Sequence, residues 1–322
     1  MMLKIGLVGT GHLGKIHLRN LLELPQDFEV VGFFDTDTSI LEDIQNEFQT
    51  KSFPDIEELM SAVDALLIAS PTSSHFPLAV QALKKGKHVF IEKPVCLTVE
   101  ESKKLLLYAQ ESGVMVQVGH VERFNPALQA AAPFIQNPLF IESRRTAPFQ
   151  KRGTDVSVVY DLMIHDIDIA LSLANANVKN ISAFGMKVLS DSIDVASAYL
   201  SFENGCTAYL SVSRVSDQRE RSSCFFMEDV HVYVDFLNKK VERHEIIEDS
   251  NEGRQFIQSV LPVEESNAIK LELASFAKSI REGSIPAVSL TDGHRALQIA
   301  ELILDQIHES NHFYKIKTEI TR

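Results

Sequence analysis

The chain has 322 residues, 45% of them hydrophobic and 23% charged, a length that favours two domains and a composition that excludes long disordered stretches. Its formal net charge of -13 opposes general attraction to nucleic acid or to an anionic membrane. The first residues lack a signal-peptide pattern and no uncharged apolar run could span a bilayer, so a cytoplasmic protein is expected.

In chain order, Leu3 to Val8 reads as a strand, followed by a helix from His12, a strand over Val30 to Asp35 and a helix near Ser39 to Phe48. The alternation continues with a strand Ala65 to Ser70, a helix Ser74 to Lys85, a strand His88 to Ile91, a further helix and a strand Val114 to Val118. Strands separated by helices in this way imply a parallel sheet covered on both faces. The helix after Pro94 has capping-box spacing at Thr98 and Glu101, and Gly113 suits the left-handed position at its end. After Gly119 the rhythm changes to a helix near Pro126 to Gln136, a strand, a polar loop and a helix around Val159 to Leu173. Ile193 to Phe202 and Cys206 to Val215 then flank the turn Glu203-Asn204-Gly205 as a hairpin, and Arg221 to Met227 and Val230 to Phe236 extend an antiparallel sheet. Two amphipathic helices close the chain, one carrying Ile269, Leu273, Phe276 and Ile280, the other Leu297, Ala300, Leu304 and Ile307 packed on a sheet. The change of pattern places a domain boundary near residue 120, with residues 1–120 and 121–322 as the two domains.

Gly9, Gly11 and Gly14, with His12 and Leu13 between them, form GxGxxG between a strand and a helix, the arrangement that brings a pyrophosphate to backbone N–H groups and a helix dipole. Asp35 ends the second strand about 20 residues on, where a carboxylate accepts from a ribose 2′-OH and repels a 2′-phosphate. NAD is therefore favoured over NADP, with capping of the next helix as the plainer role for Asp35. Ser70, Pro71 and Thr72 end another strand and are followed by His75, so all four are candidates to line the cofactor cleft, with a helix-terminal or surface role for His75 equally open. Glu92, Lys93 and Pro94 lie at the carboxyl end of a strand, the side of an open α/β sheet where ligands bind.

Taken together in order, GxGxxG, Ser70-Pro71-Thr72-Ser73-Ser74-His75, Glu92-Lys93-Pro94 and Asp161 with His165 resemble the Gfo/Idh/MocA oxidoreductase family over nearly the whole chain. The resemblance implies a Rossmann domain followed by an α/β domain with an open, mainly antiparallel sheet, a homo-oligomer (dimer or tetramer), and Lys93 as the catalytic proton donor or acceptor. Oxidising a secondary alcohol needs a base for the hydroxyl proton while hydride leaves for nicotinamide. Asp161 and His165, four residues apart, share one face of a helix; the resemblance makes His165 a second proton-relay group and Asp161 a substrate-orienting carboxylate. Arg123 and Asn125 sit in a segment similar to the family's crossover into the substrate domain, with an ion pair that fixes the junction as the other reading of Arg123. Arg144, Arg145, Lys151 and Arg152 form a basic stretch, either a solvated loop or an anion site for a substrate phosphate.

Within the family the phrases around Arg123 and Asp161 look most like those of sugar-nucleotide 3-dehydrogenases acting on UDP-N-acetylglucosamine. The alternatives are a polyol or inositol dehydrogenase, an NAD-dependent glycosidase and a non-catalytic NAD-sensing regulator. Met227-Glu228-Asp229-Val230 replaces a glycine-containing turn common in the family. Asp166 and Asp168 beside His165 raise a metal alternative, but the ligand pattern is incomplete and hydride transfer to nicotinamide needs no metal, so none is expected. Cys96, Cys206 and Cys224 have neither disulfide nor zinc-finger spacing.

Overall fold

The computed structural model describes residues 2–150, 154, 156–249 and 253–320. Two compact units emerge, Met1–Val121 with Asn267–Arg295 and Glu122–Ser266 with Ala296–Arg322.

The first unit runs β1 (Leu3–Val8), α1 (His12–Leu22), β2 (Phe28–Phe34), α2 (Leu41–Phe48), α3 (Ile56–Ala62), β3 (Ala65–Ile68), α4 (His75–Lys84), β4 (His88–Glu92), α5 (Val99–Ser112) and β5 (Val116–Gly119). Its five strands are parallel in the order β2-β1-β3-β4-β5. The chain turns one way from β1 to β2 and the other way to β3, which opens a crevice at the carboxyl ends of β1 and β3. Helices on both faces explain why every residue of β3 is buried. Thr98 caps α5 by accepting from the Glu101 N–H, and Gly113 ends it at φ 66°. Helix α3 has no counterpart among the expected elements: seven residues carry too little periodicity, and its visible signal is the Asp55 cap, which accepts from the Glu57 N–H.

The second unit contains α6 (Pro126–Ala131), β6 (Phe140–Thr146), α7 (Ile164–Ala174), β7 (Val178–Met186), β8 (Val195–Phe202), β9 (Thr207–Ser213), β10 (Glu220–Phe226), β11 (Val230–Asp235), β12 (Lys240–Asp249) and β13 (Gly253–Leu261). They form an eight-stranded sheet, β13-β12-β11-β10-β6-β9-β8-β7, antiparallel except where β6 meets β9. The hairpin around Gly205, at φ 91°, forms as expected between β8 and β9. The turn without glycine also closes: Phe226 pairs with His231, and the Met227 N–H donates to the Val230 carbonyl at 2.8 Å. The helix expected over residues 126–136 stops at Ala131 because Pro133 offers no N–H to continue it. The helix expected from Val159 is a π turn, Val159–Met163, leading into α7.

Residues 121–322 are not one contiguous domain as the sequence pattern suggested. The chain returns to the first unit as α8 (Ala268–Glu282), whose Leu273, Phe276 and Ala277 join the core of Leu7, Leu18 and Phe90. Phe276 meets Phe90 edge to face at 5.8 Å, and the Gln117 side-chain amide donates to the Glu272 carbonyl at 2.9 Å. Burying a phenylalanine there is worth about 1.5–3 kcal/mol, which gives the apolar stripe of α8 its partner. In α9 (Leu290–Ile320), Ala296, Ile299, Ala300, Ile303 and Ile307 enter the core of the second unit, beside Ile167 of α7 and Leu200 of β8.

Candidate active site and dinucleotide cradle

The parallel register sets Val8 beside Phe34 and Ile68, and Ile68 beside Ile91, so the loops that follow these residues lie along one edge of the sheet. There the glycines do three different jobs. A Cβ on Gly9, at φ +89°, would lie 2.6 Å from the Ser70 backbone, and one on Gly14 would lie 2.0 Å from the Gly9 carbonyl oxygen. A Cβ on Gly11 would meet nothing within 4 Å. That open space fronts the start of α1, which has no side-chain cap and no acidic residue in its first turn. Backbone N–H groups and the helix dipole thus face a volume suited to a diphosphate, and NAD fits the cradle. His12 is exposed beside Gly11, and Leu13 is half-buried.

Asp35 ties this loop down. Its Oδ2 accepts from the Thr10 N–H at 2.6 Å and the Thr10 hydroxyl at 2.8 Å, and Oδ1 accepts from the Asp37 N–H at 3.0 Å. Burial pushes the carboxyl up, but these donors outweigh it and hold the group below the usual carboxylate range. Asp37, not Asp35, caps the next turn, accepting from the Ser39 N–H. An ionised, half-buried carboxylate at this place can accept from a ribose hydroxyl and would repel a phosphate. Asp35→Ala is expected to weaken NADH binding about 10- to 100-fold, the loss of one charged hydrogen bond, and to abolish the preference over NADPH. Calorimetric titration reads both; a preference retained in the variant would remove Asp35 as its cause.

Lys93 follows β4 on the same edge, half-buried. Its N–H donates to Glu92 Oε2 at 3.1 Å, while Glu92 Oε1 lies 2.6 Å from His17 Nε2 in the interior. Burial raises the Glu92 carboxyl, but the His17 hydrogen bond and charge, with Lys93, reverse this and leave it below the usual range. A Cβ on Gly119 would fall 2.9 Å from the Glu92 carboxylate, so β5 approaches as closely as glycine permits. Glu92 was a cofactor candidate; its two oxygens instead serve a buried histidine and the lysine backbone.

His75 was a candidate for the same cleft, yet it is 1% exposed, with Nδ1 2.9 Å from the Pro94 carbonyl and Nε2 2.9 Å from the Ser70 carbonyl. Burial pushes the ring below the ordinary histidine range. Ser74 Oγ donates to the Pro71 carbonyl, so Ser70 Oγ donates to Ser74 at 2.6 Å. Pro71 is exposed, while Ser70 and Thr72 are half-buried on the sheet edge.

In the second unit Asp161 lies in the π turn, exposed, and His165 in the first turn of α7, half-buried, while Met163, Ile164, Asp166 and Ile167 between and beyond them are buried. A π turn placed here widens the backbone between the two side chains, a feature that recurs at functional sites.

The neighbouring cations are spent on structure. Arg145 is on the inward-facing side of β6 with Ile141 and Ser143, and Arg144 faces outward. The Arg145 guanidinium, 3% exposed, donates to Asp166 Oδ1 and Glu122 Oε1, each at 2.8 Å. Burial disfavours its charge, but those carboxylates more than restore it and raise its pKa above the usual arginine value. Arg144 is exposed and pairs with Glu220. Strand alternation sends these adjacent arginines to opposite faces, so the two do not form one continuous basic patch; Lys151 and Arg152 lie outside the described residues. Arg123 forks onto Asp168 through Nε at 2.7 Å and Nη2 at 2.6 Å. Asn125 caps α6 by accepting from the Ala127 N–H, and its amide donates to Glu122 and to the Phe236 carbonyl. Both were substrate-binding candidates, and both are occupied by these contacts.

Thr10, His17, Gly119 and Glu122 were not among the expected site residues, though each sets the position of one. Thr10 sits inside the glycine motif, which was a usable signal. His17 was hidden as one polar residue on the buried side of α1 beside Leu18 and Leu21.

The fold and the glycine cradle define a dinucleotide-binding α/β protein with a second sheet-containing unit. Two family models match it: "Oxidoreductase family, NAD-binding Rossmann fold" over residues 3–120 and "GFO/IDH/MocA C-terminal domain" over residues 134–233. It is similar to UDP-N-acetylglucosamine 3-dehydrogenase of Acidithiobacillus ferrooxidans, 37% identical over 238 residues that cover 73% of this chain and 75% of that one. A solved structure of that enzyme matches with a TM-score of 0.89 and 30% identity, over 95% of this chain and 98% of the other. The scyllo-inositol 2-dehydrogenase (NAD(+)) of Bacillus subtilis is 28% identical, covering 92% and 91% of the two chains. The chain belongs to the Gfo/Idh/MocA oxidoreductase family. It is an NAD-dependent dehydrogenase of the sugar and polyol class that acts on hydroxyl groups.

Proposed function

We propose that the enzyme oxidises the C3 hydroxyl of UDP-N-acetylglucosamine to a ketone, with Lys93 Nζ accepting the hydroxyl proton. The observation that carries this reading is the placement of Lys93 after β4, on the sheet edge that also holds the glycine cradle and Asp35. NAD, when bound, supplies the hydride acceptor. In the oxidative direction Lys93 takes the proton as the C–H bond breaks, and in reduction it returns one. His165 serves as a second proton relay and Asp161 as a carboxylate that orients a sugar hydroxyl. The choice of a nucleotide sugar is supported by the 37% identical relative and is tested against the polyol class of the 28% identical one.

The reading includes a cytoplasmic location, in line with three cysteines that form no disulfide, and a dimer or tetramer of identical chains. Supporting assembly, one face of the eight-stranded sheet leaves Phe184, Tyr199, Tyr209 and Phe256 exposed, the last at 61%. No helix among the described residues is long and apolar enough to cross a membrane.

The test is a panel of UDP-sugars, free amino sugars and inositols incubated with NAD+ and followed by NADH absorbance. Turnover is expected with UDP-N-acetylglucosamine and one NADH per keto product. Turnover confined to inositols would replace this reading with the polyol one, and bond cleavage without net NADH would point to a glycosidase.

A further inference from the structure

We propose that His75 is a positioning residue whose imidazole, spanning the Ser70 and Pro94 carbonyls, fixes the backbone that aims the Lys93 amine. The inference rests on Lys93 as the proton-transferring group. A lysine stem has four rotatable carbons, so the direction of its amine is set first by how firmly its own backbone is held. On the amino side, the Lys93 N–H is gripped by Glu92 Oε2, itself anchored by His17 at 2.6 Å. On the carboxyl side, the Pro94 carbonyl lies 2.9 Å from His75 Nδ1. The other ring nitrogen reaches the Ser70 carbonyl, also at 2.9 Å, in the loop that leaves β3 and packs against Gly9 of the dinucleotide cradle. One buried ring thus joins the cradle wall to the segment that carries the lysine.

A carbonyl oxygen has no proton to give, so each contact needs an N–H on the ring: the neutral imidazole that burial favours donates to one carbonyl at a time, and only the imidazolium, favoured by nearby Glu92, donates to both. His75 opens α4, so its Cα is fixed by the helix and by the 3-10 turn Thr72–Ser74 before it. This makes the ring a rigid strut. A displacement of about 1 Å in a reacting group can cost on the order of 100-fold in rate, which sets the scale expected when the strut is lost.

The experiment compares His75→Phe, which keeps the ring volume without donors, and His75→Gln, which keeps an N–H donor, in the full-length protein. Stopped-flow hydride transfer with NAD+ and UDP-N-acetylglucosamine is measured with the NADH dissociation constant and, free of any substrate, the rate at which an acylating reagent labels Lys93. The Phe variant is expected to lose about 10- to 100-fold in hydride transfer, keep NADH affinity and KM within about twofold, and change its Lys93 labelling rate. The Gln variant should recover most of the loss. In a Lys93→Met background His75→Phe should add nothing, because a strut acts only through what it holds. A wild-type rate and labelling in His75→Phe, a loss additive with Lys93→Met, or NADH affinity falling in step with rate would overturn the proposal. Wild-type turnover by Lys93→Met alone would instead overturn the reading beneath it. If His75→Phe does not fold, His75→Asn carries the same comparison through its single amide.

Discussion

Lys93→Met is expected to bind NADH within about twofold of the wild type and to transfer hydride about 10²- to 10⁴-fold more slowly, the cost of removing one positioned acid–base group. Methionine has similar length and no exchangeable proton, while the Lys93 N–H bond to Glu92 is a backbone contact that the substitution leaves in place. The cradle of Gly9, Gly11 and Gly14 and the Asp35 carboxylate are untouched, which is why affinity and rate should separate. Single-turnover measurement isolates the chemical step from product release, and circular dichroism checks the fold. A wild-type chemical rate would mean that another group carries the proton.

Arg145→Met should lower stability by about 3–5 kcal/mol, the range for removing one partner of a buried ion pair. The substitution leaves Asp166 and Glu122, 2% and 7% exposed, facing each other without their shared cation. Arg144→Ala, one residue away and exposed, should change stability by less than about 0.5 kcal/mol. Denaturant unfolding of the two variants side by side checks both statements, and near-equal stabilities would contradict the buried network. Because Asp166 adjoins His165, the Arg145 variant should also lose activity in excess of its unfolded fraction.

The contrast between these adjacent arginines shows where sequence reasoning reached its limit. Along the parallel sheet the signals were local and agreed with one another: apolar runs bounded by glycine, a capped helix after Pro94, an acidic residue closing β2. Those elements stand close to where the pattern puts them, since each is determined within a few residues of itself. Arg144 and Arg145 look alike in sequence, but a strand sends them to opposite faces, and the carboxylates that claim Arg145 lie 23 and 21 positions away. Arg123, Asn125 and His75 were polar residues in the right neighbourhood for a ligand, and each proved to be engaged by a partner that spacing does not reveal. Strands β7, β12 and β13 escaped notice: β7 and β13 are sheet edges, where burial does not enforce a two-residue alternation, and β12, though internal, buries only Val241 among its described side chains. The return of α8 to the first unit was hidden for another reason: an amphipathic stripe says that a helix has a partner, not which one.

Deuterium at C3 of UDP-N-acetylglucosamine gives the most direct test of the central claim. The account predicts that the purified enzyme, given this substrate and NAD+, passes the label to the cofactor, so that mass spectrometry finds singly deuterated NADH and a 3-keto sugar nucleotide in equal amounts. Unlabelled NADH from the same substrate would place the reaction at another carbon, and no NADH with this substrate, where an inositol reacts, would contradict the assignment outright.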